Sequence, residues 1–195
     1  VRRFGHDPRV TSGVLDKLAE LCQLHQAELQ ISSYVHCPQA MIGCETLAYE
    51  LAQEFPDGID HVFTQAGAGG MTRAAAIGFE QRRSADRASP SPAIHCVQPE
   101  GNNTIAGPLR AGADRAQAVD CSTRISGLQV PAVIGGDEVI AACRASGGTG
   151  HLVTDDAVYA AQRRLAREEG ILAEPAGAVA LAGVLSAAAA GELSA

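Results

Sequence analysis

Asp60-His-Val-Phe-Thr-Gln-Ala-Gly-Ala-Gly-Gly-Met-Thr72 is the stretch on which the fold turns. Its first part, taken from Ile59 to Gln65, alternates too little for a half-exposed strand and reads as a buried strand of a parallel sheet. Its second part sets Gly67, Gly69 and Gly70 ahead of a helix expected to run to about Arg83. Glycines there let the backbone turn sharply with its N–H groups in one concavity, and the helix start adds partial positive charge. Such a strand–loop–helix unit is a natural cradle for a phosphate or a carboxylate. No Gly-Lys-Ser/Thr follows, so this is not a Walker loop. The third glycine is displaced from Gly-x-Gly-x-x-Gly, so the dinucleotide fingerprint does not fit either. On spacing alone, a tight turn without a ligand is an equal reading.

Working outward, strands and helices alternate. Upstream, residues 12–29 predict an amphipathic helix capped by Ser12, with Val14, Leu15, Leu18, Leu21 and Leu24 at helical spacing. A short strand is expected at 29–34, a turn at His36-Cys37-Pro38, and a second helix over 43–55 closed by Pro56-Asp57-Gly58. Downstream, a polar loop spans 82–92, Ala93 to Gln98 reads as another buried strand, and 99–131 mixes helix and loop. A helix is expected over 137–145, with acids in its first turn, followed by a brief strand at 151–154. Thr154 caps a helix over 155–169 that Gly170 ends, and Pro175 opens a last helix reaching about Ala190. This alternation predicts an α/β fold with a mainly parallel twisted sheet flanked by helices.

Composition narrows the function. The 195 residues are 46% hydrophobic, 19% charged and only 4% aromatic, which favours close packing of small side chains. A net charge of −7 offers no basic face, so no nucleic-acid partner is expected. No apolar run is long enough to span a membrane, and no signal peptide is read at the start. Cys22, Cys37, Cys44, Cys96, Cys121 and Cys143 form no Cys-x-x-Cys pair and no zinc set with histidine. They read as reduced, mostly buried thiols of a cytoplasmic protein. His6, His25, His36, His61, His95 and His151 show no cluster along the chain, and His36-Cys37 reads as a surface turn.

Four segments, in order, resemble the fold-type II pyridoxal-phosphate enzymes, the tryptophan synthase β superfamily. Asp60 to Thr72 is similar to their strand and phosphate-binding loop. Ile42-Gly-Cys-Glu-Thr-Leu-Ala-Tyr-Glu-Leu51 is similar to the helix before that strand in threonine synthases. Thr123-Arg-Ile-Ser-Gly-Leu-Gln-Val-Pro131 resembles a segment of threonine synthases, threonine dehydratases and diaminopropionate ammonia-lyases. Ser146 through Gly183, with its Glu174-Pro-Ala-Gly-Ala178 run, resembles the synthases and dehydratases. The likeness covers about 40–195 and implies a partial chain, incomplete at both ends. Residues 1–50 would be a remainder of the small N-terminal domain, and 51–195 most of the large cofactor domain without its last strand.

The resemblance implies pyridoxal 5′-phosphate as cofactor, a small amino acid as substrate and a homodimer as a possible assembly. Carried over, Gly67, Ala68, Gly69, Gly70 and Met71 would offer N–H groups to the cofactor phosphate, with Thr72 as a hydroxyl in reserve. Gly127 would sit near the cofactor ring, and Glu174 would lie close behind it. A helix-start acid satisfied by the dipole is an equal reading of Glu174. No catalytic residue and no metal ligand is assigned. The family also needs a lysine amine beside the ring, and the single lysine, Lys17, is expected to face solvent on the first helix. The expected chemistry is β- or γ-elimination or replacement of the threonine synthase kind, with threonine/serine dehydratase or diaminopropionate ammonia-lyase as alternatives. A non-catalytic binder of phosphorylated metabolites is the alternative from another class. The 195 residues alone are expected to be inactive.

Overall fold

The structure, a computed structural model, describes residues 9–28, 31–87 and 90–193, with side chains from 16 onward. Its sheet has three strands, β1 (His61–Gln65), β2 (Ala93–Pro99) and β3 (Gly150–Val153), ordered β1-β2-β3. Both pairings are parallel, with His61 opposite Ala93 and Cys96 opposite Gly150. The expected parallel α/β architecture is therefore present. Around the sheet stand α1 (Arg9–Leu24), α2 (Pro38–Glu54), α3 (Gly70–Ala85), α4 (Ala106–Arg110), α5 (Gly136–Ala145), α6 (Asp155–Glu168) and α7 (Pro175–Ala189).

Alternation along the strands divides the core in two. Ile94 and Cys96 face Phe79, Ile105, Leu109, Val139, Ile140 and Cys143, which come from α3, α4 and α5. Val97 and Val153, with Phe63, face Val158 and Ala161 of α6 and Ala178, Val179 and Ala182 of α7. Small residues set the spacing on both sides. A Cβ on Gly183 of α7 would lie 2.6 Å from the Val97 side chain, and one on Gly78 of α3 would lie 2.4 Å from the Glu45 carbonyl of α2. Among the described residues β1 pairs with β2 alone. Its other side opens on an apolar groove of about 540 Å³ that includes Leu47, Leu51, Phe55, Val62 and Met71.

The caps behave as the sequence indicates. Thr154 Oγ1 accepts from Ala157 N at 3.1 Å, Gly170 closes α6 at φ +69°, and Pro175 starts α7. Upstream boundaries differ. Helix α1 starts at Arg9, so Ser12 lies inside it, and it ends at Leu24 because Gln26 turns to φ +51°. Leu18, Leu21 and Leu24 are uncovered, with Leu24 72% exposed. Of the expected strand at 29–34, residues 29 and 30 lie outside the described residues, and 31–37 is a turn rather than a strand. Ser33 Oγ takes the His36 amide at 3.2 Å and Ser33 O takes the Cys37 amide at 2.8 Å, so local bonds outcompete a ladder. Pro38 then opens α2 five residues before the expected start, since its missing N–H costs nothing at the first helical position.

The region 99–131 holds a 3-10 turn at 100–102 and α4, with irregular chain after them. None of the six cysteines is in a disulfide; Cys37, Cys96 and Cys143 are buried and the others partly so. The expectation of unclustered histidines fails. His61, His95 and His151, one on each strand, form a hydrogen-bonded row, because parallel pairing sets same-parity residues side by side. No described helix is long and apolar enough to cross a membrane.

Candidate cofactor site

Gly69 is the N-cap of α3, in the left-handed region at φ +84°, and no side chain caps the helix. The amides of Gly69, Gly70, Met71 and Thr72 are the four that an α-helix leaves without an internal partner. The first helical bond is Arg73 N to Gly69 O at 3.0 Å. Below the loop, Ala66 N is tied to Val97 O at 2.9 Å, which fixes where β1 ends and the turn begins. A bulkier Gly69 would meet Val139 at 2.6 Å, so that glycine answers both to backbone conformation and to close contact with α5.

Three sequence-assigned pieces come together. A Cβ on Gly67 would lie 2.9 Å from Val130 Cγ2 and 3.3 Å from Gly127 O, so the 127–130 turn rests directly on the loop. Gly127 takes φ +87°, and a Cβ there would touch Ala176 at 3.9 Å. The start of α7 is thus the next neighbour. Glu174 stands at that start as an exposed N-cap residue that makes no side-chain cap bond. Loop, turn and helix start meet beyond the carboxyl ends of the parallel strands, where open α/β sheets bind ligands.

The reserve hydroxyl shifts, whereas Met71 is expected to offer only its amide. The Met71 side chain is 37% exposed and borders the groove on the free edge of β1, leaving only its amide for the loop. Thr72 is fully buried, its hydroxyl 2.8 Å from that of Thr64 and bonded to the Cys96 thiol, so it points into the core and cannot serve as the reserve hydroxyl. Burial pushes both neighbouring thiols up, Cys143 to about 12.

The residue that sequence reasoning missed is Gln98. It is 0% exposed at the end of β2. Its Nε2 is shared among Ala66 O (3.3 Å), Gly67 O (3.2 Å) and Thr104 Oγ1 (2.9 Å), while Oε1 accepts from Ile105 N at 2.7 Å and Ala106 N at 2.9 Å. One amide therefore holds the root of the glycine loop and the start of α4. The only available signal was a polar residue closing an apolar strand.

The other side of the loop is covered by 33–35. Ser33, Tyr34 and Val35 leave a space of only about 10 Å³ against Ala68, Gly69, Gly70 and Arg73. Arg73 lies 4.6 Å from the centre of the Tyr34 ring and 4.0 Å from the Glu138 carboxylate. Tyr34 donates to Glu45 at 2.9 Å, and burial followed by that carboxylate pushes its hydroxyl well above the usual tyrosine value.

These residues fit a phosphate: helix-start amides left without helical partners and a loop too tight for side chains at Gly67. They do not include an anchoring amine. Lys17 is half-exposed on α1 and ion-paired with Glu20 at 2.7 Å.

The chain is 29% identical over 149 residues to a threonine synthase of Methanosarcina acetivorans, covering 75% of this chain and 37% of that protein. It is 32% identical over 151 residues to the biosynthetic L-threonine dehydratase of Haemophilus influenzae, covering 75% of this chain and 27% of that protein. The chain thus spans about a third of the length of the curated relatives it matches. Processed threonine deaminase isoform 2 of Solanum lycopersicum shares the fold at a TM-score of 0.72 and 24% identity, over 90% of this chain and 48% of that one. Serine racemase of Dictyostelium discoideum does so at 0.65 and 20%, over 87% and 50%. The family described as "Pyridoxal-phosphate dependent enzyme" matches residues 1–195 from end to end, and the chain belongs to it.

Proposed function

We propose that this chain is the cofactor-binding part of an amino-acid enzyme catalysing β- or γ-elimination or replacement, of the threonine synthase kind. The observation that carries the reading is the meeting of the glycine loop, the Gly127 turn and the start of α7 at one end of the sheet. When bound, pyridoxal phosphate supplies the electron sink for loss of the substrate's α-proton. The chain's part is to hold the phosphate on the amides of 67–71, with Gly127 near the ring and Glu174 behind it. The similarity to the threonine synthase supports the first choice, and that to the threonine dehydratase supports dehydration of threonine or serine as the second. Diaminopropionate ammonia-lyase chemistry rests on the Gln65-Ala66-Gly67 and Ser126-Gly127-Leu128 segments.

The lone Lys17, turned to solvent, favours the other class, a phosphometabolite binder without catalysis. Under the enzyme reading the anchoring lysine lies outside these residues, so the 195 residues alone give no turnover. The same reading divides the chain into a small-domain remainder at 1–50 and most of the large domain at 51–195, and is compatible with a cytoplasmic protein and with a homodimer.

Absorbance titration of the full-length protein with pyridoxal phosphate, beside the same titration of the 195 residues, tests this. A visible band, discharged by borohydride, in the full-length protein alone supports the enzyme. No band in either sinks the catalytic reading and leaves the binder. Release of phosphate or of ammonia from candidate amino acids then separates synthase from dehydratase.

A further inference from the structure

Three histidines that the cofactor site does not use cross the face of the sheet covered by α7. His61 Nδ1 lies 3.0 Å from His95 Nε2, and His95 Nδ1 lies 3.1 Å from His151 Nε2. His95 and His151 are each 5% exposed. The Phe63 ring stacks on His95 at 4.3 Å between centroids and reaches His151 at 5.0 Å, which shields the row from water. The row ends on a carboxylate. His151 Nδ1 is 3.6 Å from Glu192 Oε2, and Glu192 is ion-paired with Arg110. Glu192 reaches that position because Gly191, at φ +69°, folds the end of α7 back. The Glu192 amide donates to Ala187 O at 2.9 Å and the Gly191 amide to Ala188 O at 3.1 Å, a Schellman turn.

The backbone fixes the polarity of the row. The Thr149 amide donates to His95 Nδ1 at 3.3 Å. That nitrogen must carry a lone pair, so neutral His95 has its hydrogen on Nε2 and donates it to His61. His151 in turn donates from Nε2 to His95, which leaves its own Nδ1 lone pair facing the Glu192 carboxylate. A proton arriving on His151 Nδ1 gains a bond to Glu192 and breaks none. A proton arriving on His95 Nδ1 sets a new N–H against both the Thr149 amide and the His151 N–H, and charges a buried ring between two others.

The titratable and charged groups facing His95 and His151 are His61 from β1, Glu192 from the end of α7 and Arg110 from α4. Burial first, then His151 and His61, hold His95 down at about 4 against the pull of Glu192. Burial also lowers His151, which Glu192 raises and Arg110 lowers.

We propose that the row is an acid-released latch, in which neutral His95 ties β2 to β3 and, through His151 and Glu192, to the end of α7. It does not depend on the cofactor reading. As pH falls, the first proton settles on His151 and tightens the hold on Glu192. The second, on His95, breaks its bonds to His151 and the Thr149 amide and frees the Thr149 turn, while protonated His151 keeps Glu192.

Long-range proton–nitrogen spectra of the imidazoles, with amide hydrogen exchange, test this on the full-length protein from neutral pH down to about 4. The expected result is the Nε2–H form of His95, a His151 that takes its proton first, and a His95 that stays neutral until about 4. Amide protection at Thr149, corrected for intrinsic rates, should fall about tenfold or more as His95 titrates, while protection at Glu192 holds. An Nδ1–H form of His95, three independent titrations at the ordinary histidine value, or protection indifferent to His95 would each overturn the latch. Glu192→Gln should move His151 protonation to lower pH, and an unmoved His151 also overturns it. His95→Leu should abolish the acid loss of protection, and retention of that loss refutes the proposal. If His95→Leu does not fold, the wild-type titration and Glu192→Gln decide.

Discussion

Gln98 and His95 leave β2 on opposite faces of the sheet, and each buries its polar atoms by a different logic. Gln98 satisfies both ends of its amide with backbone groups and one hydroxyl, none of which titrates in the range where proteins work. His95 has two other histidines and one amide for partners, so its bonds depend on where protons sit. One strand thus carries a pH-indifferent joint beneath the glycine loop and a pH-dependent joint beneath α7. The end that would hold the cofactor phosphate is insulated from the chemistry of the other.

The sharpest way to break that contrast is Gln98→Glu, which keeps the Ile105 and Ala106 amides on one oxygen but sets the other, buried and charged, against Ala66 O and Gly67 O. A loss on the order of 4 kcal/mol is expected at neutral pH in urea unfolding. Burial raises the folded carboxyl pKa, so the penalty applies above that raised value and is relieved as acid protonates the group. The variant should then gain relative stability on acidification, the reverse of the wild type. In the wild type, the folded pKa of His95 is lowered to about 4 from 6.5. Its contribution is complete above 6.5 and is lost as pH falls through about 4. Urea midpoints across that window should report a decline on the order of 2 kcal/mol, absent in His95→Leu if that variant folds.

Gly67→Ala should leave acid behaviour unchanged while forcing Val130 and the Gly127 carbonyl away from the loop. Weaker binding of pyridoxal phosphate, by about tenfold, is expected in fluorescence titration of the full-length protein. The smallest effect belongs to Thr154→Ala, which removes the α6 cap and touches neither joint. About 1 kcal/mol of thermal stability should go, with no change in cofactor binding or in pH profile.

Local chemistry was legible in the sequence. The glycine loop, the buried strands, the Thr154 cap, Gly170 and Pro175 all announce themselves within a few residues of where they act. A site joining Gly67, Gly127 and Glu174 was suggested only by the family likeness, because nothing local relates a loop to a turn so far along the chain. Gln98 and the histidine row were missed for the same reason: their partners lie on other strands and become neighbours only once the parallel register is known. Residues 31–37 misled because apolar Ile31, Tyr34 and Val35 resemble a strand while the serines among them bond locally. The leucines of α1 showed helical spacing correctly, but spacing says nothing about what covers a face.

The parallel order of the sheet has a kinetic side. Phe63 must find His95, and Cys96 must find Gly150, each across one or more whole helices. No hairpin can seed such a sheet, and loop closure must be met before any ladder bond rewards it. The helical neighbours α6 and α7, joined by a short link after Gly170, form contacts early at little entropic cost. Folding is therefore expected to start from that C-terminal helical pair, with the β1–β2 ladder and its glycine loop assembled last.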